Sequence, residues 1–377
     1  MSKMRRFLTV LLAVAFAGSL GLAGSGQASA HQSAARHHGA AVVSVFATGL
    51  NNPRGLTFGP DRNLYVAEGG LGGTHSTVGL CPQAAGAAAP YTGSTNNPVL
   101  GGRISKVSRA GVVTTVVNAL PSSQTNAASG SLVSGVSSVA FIGHQLYALL
   151  AGAGCSHGVP TVPNGVIKVG HHGRWKLIAN LSAFQKAHPV AHPDPEDFDP
   201  DGTWYSMIAI GRALYPMDSN PGELDRVTRS GAISRVIDIS ATQGHIVPTS
   251  VAYHGNFYVG NLHLFPIVPG SSKIYKVTPS GQIKPVVEGL TTVLGVAFDS
   301  HERMYVLENT TVPGFPTPGT GRVSRVNASG GLDVVATGLF LPTAMTFGPD
   351  GNIYVSNIGF GPPPVGLGQV LKIEIND

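Results

Sequence analysis

Charge is scarce in this chain. Only 11% of its 377 residues are Asp, Glu, Lys or Arg, against about a quarter in an average globular protein. Disorder is nevertheless excluded, because 42% of the residues are hydrophobic and the net charge is small. Cysteine is limited to two residues, and they form no zinc-ligand pattern with the histidines. The chain has no nucleophile elbow and no phosphate-cradling glycine loop. What it has in excess is Gly (50) and Pro (27), about a fifth of the chain against about 12% on average. Coiled coils and helical bundles are excluded by that content, leaving a turn-rich, mostly β protein with a sizeable core.

The first thirty residues stand apart. Lys3, Arg5 and Arg6 precede an apolar stretch from Phe7 to Leu22, and Ala28-Ser29-Ala30 form a small-residue cleavage site. This is the pattern of a secretory signal peptide over 1–30. Gly18, Gly21 and Gly24 interrupt the apolar stretch, so no membrane span is expected after cleavage. The leader holds three of the bases behind the net charge of +5. The remainder is too small to attract nucleic acid. Residues 31–41 read as a flexible lead-in. Export places the protein outside the cell or in its envelope, where Cys81 and Cys155 either pair or remain two thiols.

One unit recurs from residue 42 onward. GLTFGPDRNLYVAE (55–68), SVAFIGHQLYALL (138–150), MIAIGRALYPMD (207–218), SVAYHGNFYVGN (250–261), GVAFDSHERMYVLE (295–308) and AMTFGPDGNIYVSN (344–357) are six hairpins of alternating apolar and polar residues. A third strand follows each, as in GRISKVSR (102–109) and GRVSRVNA (321–328). Five of these third strands end in a turn, at Gly111, Gly173, Gly231, Gly281 and Gly330, before a fourth strand. The sixth has no successor, but VVSVFATGL (42–50) matches DVVATGL (333–339). The expected fold is therefore all-β: a six-bladed β-propeller over 42–377, with four-stranded blades and a ring closed by strand 42–50 completing the last blade.

In that fold the short turns lie on one face and the long connections on the other. The long ones are 69–101, 121–135, 151–164, 181–204, 262–271, 309–320 and 358–367. Long loops on a rigid scaffold are the expected binding face. Cys81 and Cys155 fall in neighbouring loops there, within plausible reach of a disulfide.

Aligned at the end of their second strands, the hairpins give the column Glu68, Leu150, Asp218, Asn261, Glu308, Asn357. Its oxygen-bearing members either gather at the channel mouth around a ligand or a Ca²⁺ ion, or cap turns locally. Arg54 and Thr343 open first strands near the same mouth. A second candidate is Asp197-Phe198-Asp199-Pro200-Asp201-Gly202, which begins like a Ca²⁺ loop. It carries Ile208 where a bidentate Glu is expected, and also reads as an ordinary turn. Six histidines, His75, His157, His188, His192, His245 and His263, fall in long-face loops without a ligand motif. The nearest reactive grouping is His245 or His263 beside Asp218 and Glu308.

GHIVPTSVAYHGNFYVGNLHLFPI (244–267), KIYKVTPSGQI (273–283), GLTTVLGVAFD (289–299) and PTAMTFGPDGNIYVSNIGFG (342–361) resemble the ScyD/ScyE family of exported β-propeller proteins. The resemblance covers most of 42–377 and implies export and a propeller, with NHL-like repeats and no catalytic residues to carry over. The GLTFGPDRNLYVAE unit is also similar to units of gluconolactonase-type lactonases, streptogramin-lyase-like propellers and quinone-dependent sugar dehydrogenases. The leading expectation is a secreted, monomeric binding or scaffold protein holding a small molecule or extracellular partner on the long-loop face. The alternative is a metal-assisted hydrolase or lyase, or a quinone-dependent oxidoreductase, using Glu68, Asp218 and Glu308.

Overall fold

A computed structural model describes residues 41–86, 90–125, 132–360 and 366–375. The signal peptide assigned to 1–30 and all but the last residue of the lead-in lie outside them.

The recurring unit folds as an antiparallel sheet of four strands, and six such sheets follow one another. Sheet one comprises Pro53–Phe58, Leu64–Glu68, Gly102–Val107 and Val113–Leu120. Sheet two comprises Val136–Ile142, Gln145–Leu150, Gly165–Val169 and Trp175–Asn180. Sheet three comprises Trp204–Ile210, Ala213–Asp218, Glu223–Thr228 and Ile233–Asp238. Sheet four comprises Pro248–His254, Asn256–Asn261, Ser272–Val277 and Ile283–Leu290. Sheet five comprises Val293–Phe298, Met304–Glu308, Gly321–Val326 and Leu332–Leu339. Sheet six comprises Ala344–Phe347, Ile353–Asn357 and Gly368–Glu374, and its fourth strand is Val42–Leu50. That strand pairs antiparallel with Gly368–Glu374, from Val42 opposite Glu374 to Leu50 opposite Gly368.

The glycines at the turns between third and fourth strands have a physical reason. Gly111, Gly173, Gly231, Gly281 and Gly330 all have φ between 71° and 93°, a region where a Cβ is unfavourable.

Each first strand packs against the first strand of the next sheet, and that of sheet six packs against that of sheet one. The hydrophobic core is divided in the same cyclic way. Leu149, Val166, Trp204 and Leu214 fill the space between sheets two and three. Leu50, Val370, Leu56 and Leu64 fill the space between sheets six and one. Apolar residues on both faces of every sheet are thereby buried, which a single sheet cannot do alone. The chain is thus a β-propeller.

A seventh sheet was not expected from the repeats. It is three-stranded, ordered His75–Ser76, Thr92–Ser94, Ser122–Gln124, and is built from long connections. Its strands have only two or three residues, too short for the alternation that reveals strands in a sequence. The one seven-residue α-helix described, Leu181–Ala187, also lies in a long connection. It is capped by Asn180, whose Oδ1 accepts from Ala183 N at 2.9 Å. Among the described residues, no helix is long and apolar enough to cross a membrane.

Candidate functional site

The inner strands enclose an axial cavity of about 620 Å³. Its wall is made of first-strand residues, apolar ones such as Phe58, Phe141, Met207 and Tyr253 alternating with Thr57, Ser138, Ser206 and Thr346. It extends to Gly211 in the first turn of sheet three, and so towards the short-turn face.

At the long-loop end, two large side chains bar the axis. Tyr205 starts in sheet three, and its Oη donates to Thr343 O at 3.0 Å, just before the first strand of sheet six. Arg54 enters from sheet one, donates through Nη2 to Val133 O at 2.5 Å, and lies against Tyr205. Burial lowers the pKa of Arg54 and pushes that of Tyr205 up to about 12. Among the described residues, no carboxylate lies within ion-pair distance of Arg54.

Above this bar, Tyr91 from the long loop of sheet one feels Arg54 on one side and Asp199 and Asp197 on the other. Burial first, then those aspartates, raise its pKa. The Tyr91 ring lies 4.5 Å from that of His157. His157 is fully buried, with Nδ1 2.8 Å from Ser123 Oγ and Nε2 2.8 Å from Asp199 Oδ2. Burial alone would lower its pKa; Asp199 and Asp201 outweigh that and raise it. Asp197 Oδ2 is 3.0 Å from His245 Nε2, and His263 lies close enough to feel His245, its own pKa lowered by burial and then by that neighbour.

In the stretch 197–202, Asp199 and Asp201 take hydrogen-bond partners from neighbouring segments of the protein. Asp199 accepts from Ser156 Oγ at 2.8 Å. Asp201 accepts from Ser156 N and Lys186 Nζ, each at 2.8 Å. Burial would raise the Asp201 pKa, but these bonds hold it lowered. Among the described residues, no three His, Cys, Asp or Glu side chains gather where a metal ion would sit. Cys81 and Cys155 are bonded, with Cα atoms 6.3 Å apart. The bond fixes the segment from which Ser156 and His157 reach the aspartates.

The second-strand column has a different arrangement. Glu68 lies opposite Arg103 and Glu308 opposite Arg322. Glu68 accepts from Arg103 Nε and Nη2, each at 2.8 Å, and from Asn51 N at 2.7 Å. Glu308 accepts from Arg322 Nε at 2.9 Å and from Thr291 N at 2.8 Å. Asn357 Oδ1 takes Phe340 N at 2.8 Å, and Asn261 Oδ1 takes Lys273 N at 2.8 Å. These side chains tie crossover segments and third strands to their own sheets, and none lines the axial cavity.

Sheet three departs from this scheme. Asp218 faces Glu223, where sheets one and five set an acid against an arginine. Asp225 stands where Ser105 and Ser324 stand. All three acids are fully buried. Asp218 Oδ2, Glu223 Oε1 and both oxygens of Asp225 have no hydrogen-bond partner. Arg235 reaches Glu223 alone of the three. Burial, then neighbouring carboxylates, raise the pKa of Asp218 and of Asp225; burial also raises that of Glu223, against the pull of Arg235.

Of the expected site residues, Arg54 is thus at the axis. His157 and His245 are two of the six long-face histidines, whereas Tyr205, Tyr91 and Ser123 were not anticipated. Tyr205 was hidden from sequence reading: hairpins aligned from Met207 and Gly55 put Ser206 level with Arg54, whereas the pairing of Trp204 with Asp218 and of Pro53 with Glu68 puts Tyr205 there.

No protein-family profile matches the chain, and none of the curated proteins does. Solved structures share the fold. A protein of Thermus thermophilus named as an oxidoreductase (glucose dehydrogenase) superposes with a TM-score of 0.54 at 16% identity, over 88% of this chain and 99% of that one. A Bacteroides thetaiotaomicron protein of unknown function gives 0.55 at 12%, over 89% and 76%. A gluconolactonase of Xanthomonas campestris gives 0.52 at 10%, over 89% and 90%.

Proposed function

We propose that the six four-stranded sheets are the blades of a secreted six-bladed propeller, and that it acts on a small molecule at the Arg54 end of the axis. The three-stranded sheet is then an accessory cap rather than a blade. Export is supported by the leader pattern and by the disulfide.

One observation carries the functional reading: a half-buried arginine at the axis with, among the described residues, no carboxylate within ion-pair distance. Such a guanidinium favours a carboxylate, or a carbonyl that gains negative charge as it reacts. Tyr91 links it to the His245–Asp197 pair, which has the hydrogen bond that orients a general base. This combination suits hydrolase- or lyase-type chemistry, such as lactone opening, better than a passive scaffold. The gluconolactonase that shares the fold supports the same class. In this reading Glu68 and Glu308 hold the blades and take no part in the chemistry.

The test is a screen of lactones and of carboxylates carrying a leaving group, with the parent and three variants. Arg54→Gln is expected to lose about 10²- to 10³-fold in kcat/KM, the usual loss for a removed oxyanion donor. His245→Ala is expected to lose about 10²-fold or more. Glu68→Gln, where it folds, is expected to keep its activity. Activity that survives in Arg54→Gln, or a parent inactive on the whole panel, sinks the proposal.

A further inference from the structure

A second cavity lies on the seam between sheets six and one, away from Arg54. It holds about 500 Å³, within the usual span for small-ligand pockets. Its floor is aromatic. Phe46, from the strand that closes the ring, and Phe58, from sheet one, each meet the Tyr354 ring edge-on at 5.0 Å. Arg62, Arg109, Asp350 and Lys372 stand around it.

These four charges are not equivalent. Asp350 Oδ2 accepts from Tyr354 Oη at 3.0 Å and lies 3.2 Å from Lys372 Nζ. Lys372 also reaches Glu374 at 3.3 Å. Arg62 and Arg109 are exposed, and among the described residues neither has a carboxylate within ion-pair distance. The cavity is therefore apolar at its base, with two uncompensated guanidinium groups at its edge.

The backbone adds an independent sign. Gly59-Pro60-Asp61-Arg62-Asn63 and Gly348-Pro349-Asp350-Gly351-Asn352 are the same turn in neighbouring sheets. Both hold the fourth residue in the left-handed region, at φ 60° for Arg62 and 78° for Gly351. Glycine adopts that conformation freely, and an arginine does so at a cost. Glu302 also has a positive φ, 65°, in the first turn of sheet five, so a side chain is tolerated there. At Arg62 the strained residue is also a wall of the cavity. Strain retained at a pocket is a reason to look for a ligand.

We propose that the seam cavity binds a small monocarboxylate with a flat aromatic body. The ring lies against Phe46, Phe58 and Tyr354, and the carboxylate is held by Arg62 and Arg109. Arginine suits this, since its planar fork matches a carboxylate. The ligand bridges the closing strand and sheet one.

Calorimetric titration with 2-naphthoate, and with neutral 2-naphthamide of the same shape, tests the assignment. Naphthoate is expected to bind the parent, and the amide about ten-fold more weakly or worse. Arg62→Gly and Arg109→Gln are each expected to weaken naphthoate about ten-fold or more. Arg62→Gly should also melt at a higher temperature than the parent, because the turn relaxes. Binding is then lost without loss of the fold. Arg54→Gln should bind naphthoate as the parent does, so the seam site and the axial site stand or fall separately. Equal affinity for naphthoate and naphthamide, no binding by the parent, or unchanged binding in Arg62→Gly overturns the proposal.

Discussion

Among the described residues, Asp225 is a fully buried carboxyl with no donor to either oxygen. An unsatisfied buried group of this kind costs about 1–3 kcal/mol, and more if charged. Its pKa and those of Asp218 and Glu223 are raised. The folded state therefore holds protons that the unfolded chain releases above about pH 4. Their stabilisation is fully present below that pH and is lost as pH rises through the raised values. The melting temperature should thus be higher at mildly acidic than at alkaline pH. Asp225→Asn, which stays neutral throughout, should flatten the profile and melt above the parent on the alkaline side. Parallel profiles for parent and variant over a pH series would reject the account. This substitution pattern was legible in the sequence as Gly-Glu-Leu-Asp at 222–225 where two other units have Gly-Arg-Ile-Ser and Gly-Arg-Val-Ser. The axial pair Arg54 and Tyr205 was less so. Choosing the column that faces the axis requires knowing which strand is innermost, and alternation alone does not order strands within a sheet.

The long connections form a layer of their own, and the disulfide is its main covalent tie. Cys81 and Cys155 are 74 residues apart. Closing a loop of that size contributes about 4 kcal/mol in the chain-entropy account. Reduction, or Cys81→Ser with Cys155→Ser, is expected to lower the denaturant midpoint by a corresponding amount. It should also loosen Ser156 and His157, whose hydrogen bonds hold Asp199 and Asp201. A midpoint unchanged by reduction would show that hydrogen bonds alone fix these loops. The elements of the repeat were readable because each has several alternating residues and a turn glycine. The cap was not, since the residues holding it, Ser123 and His157, meet across 34 positions of sequence and carry no local pattern.

The ring itself was the most legible level, because six copies of one unit and a displaced strand leave few other arrangements. It closes through strand Val42–Leu50. Removing residues 42–50 would leave Gly368–Glu374 as an open edge, and such edges recruit other chains. The truncated protein is expected to self-associate and to lose its single cooperative melt. Size-exclusion chromatography and thermal scanning check this; a monomer with an unchanged melt would refute it. The same closure sets an order of events. Strand 42–50 leaves the ribosome ahead of every other strand of the ring, and its partner, 368–374, leaves last. Sheets one to five each draw on one stretch of chain, but sheet six, and with it the closed ring, has to wait until synthesis has delivered both ends.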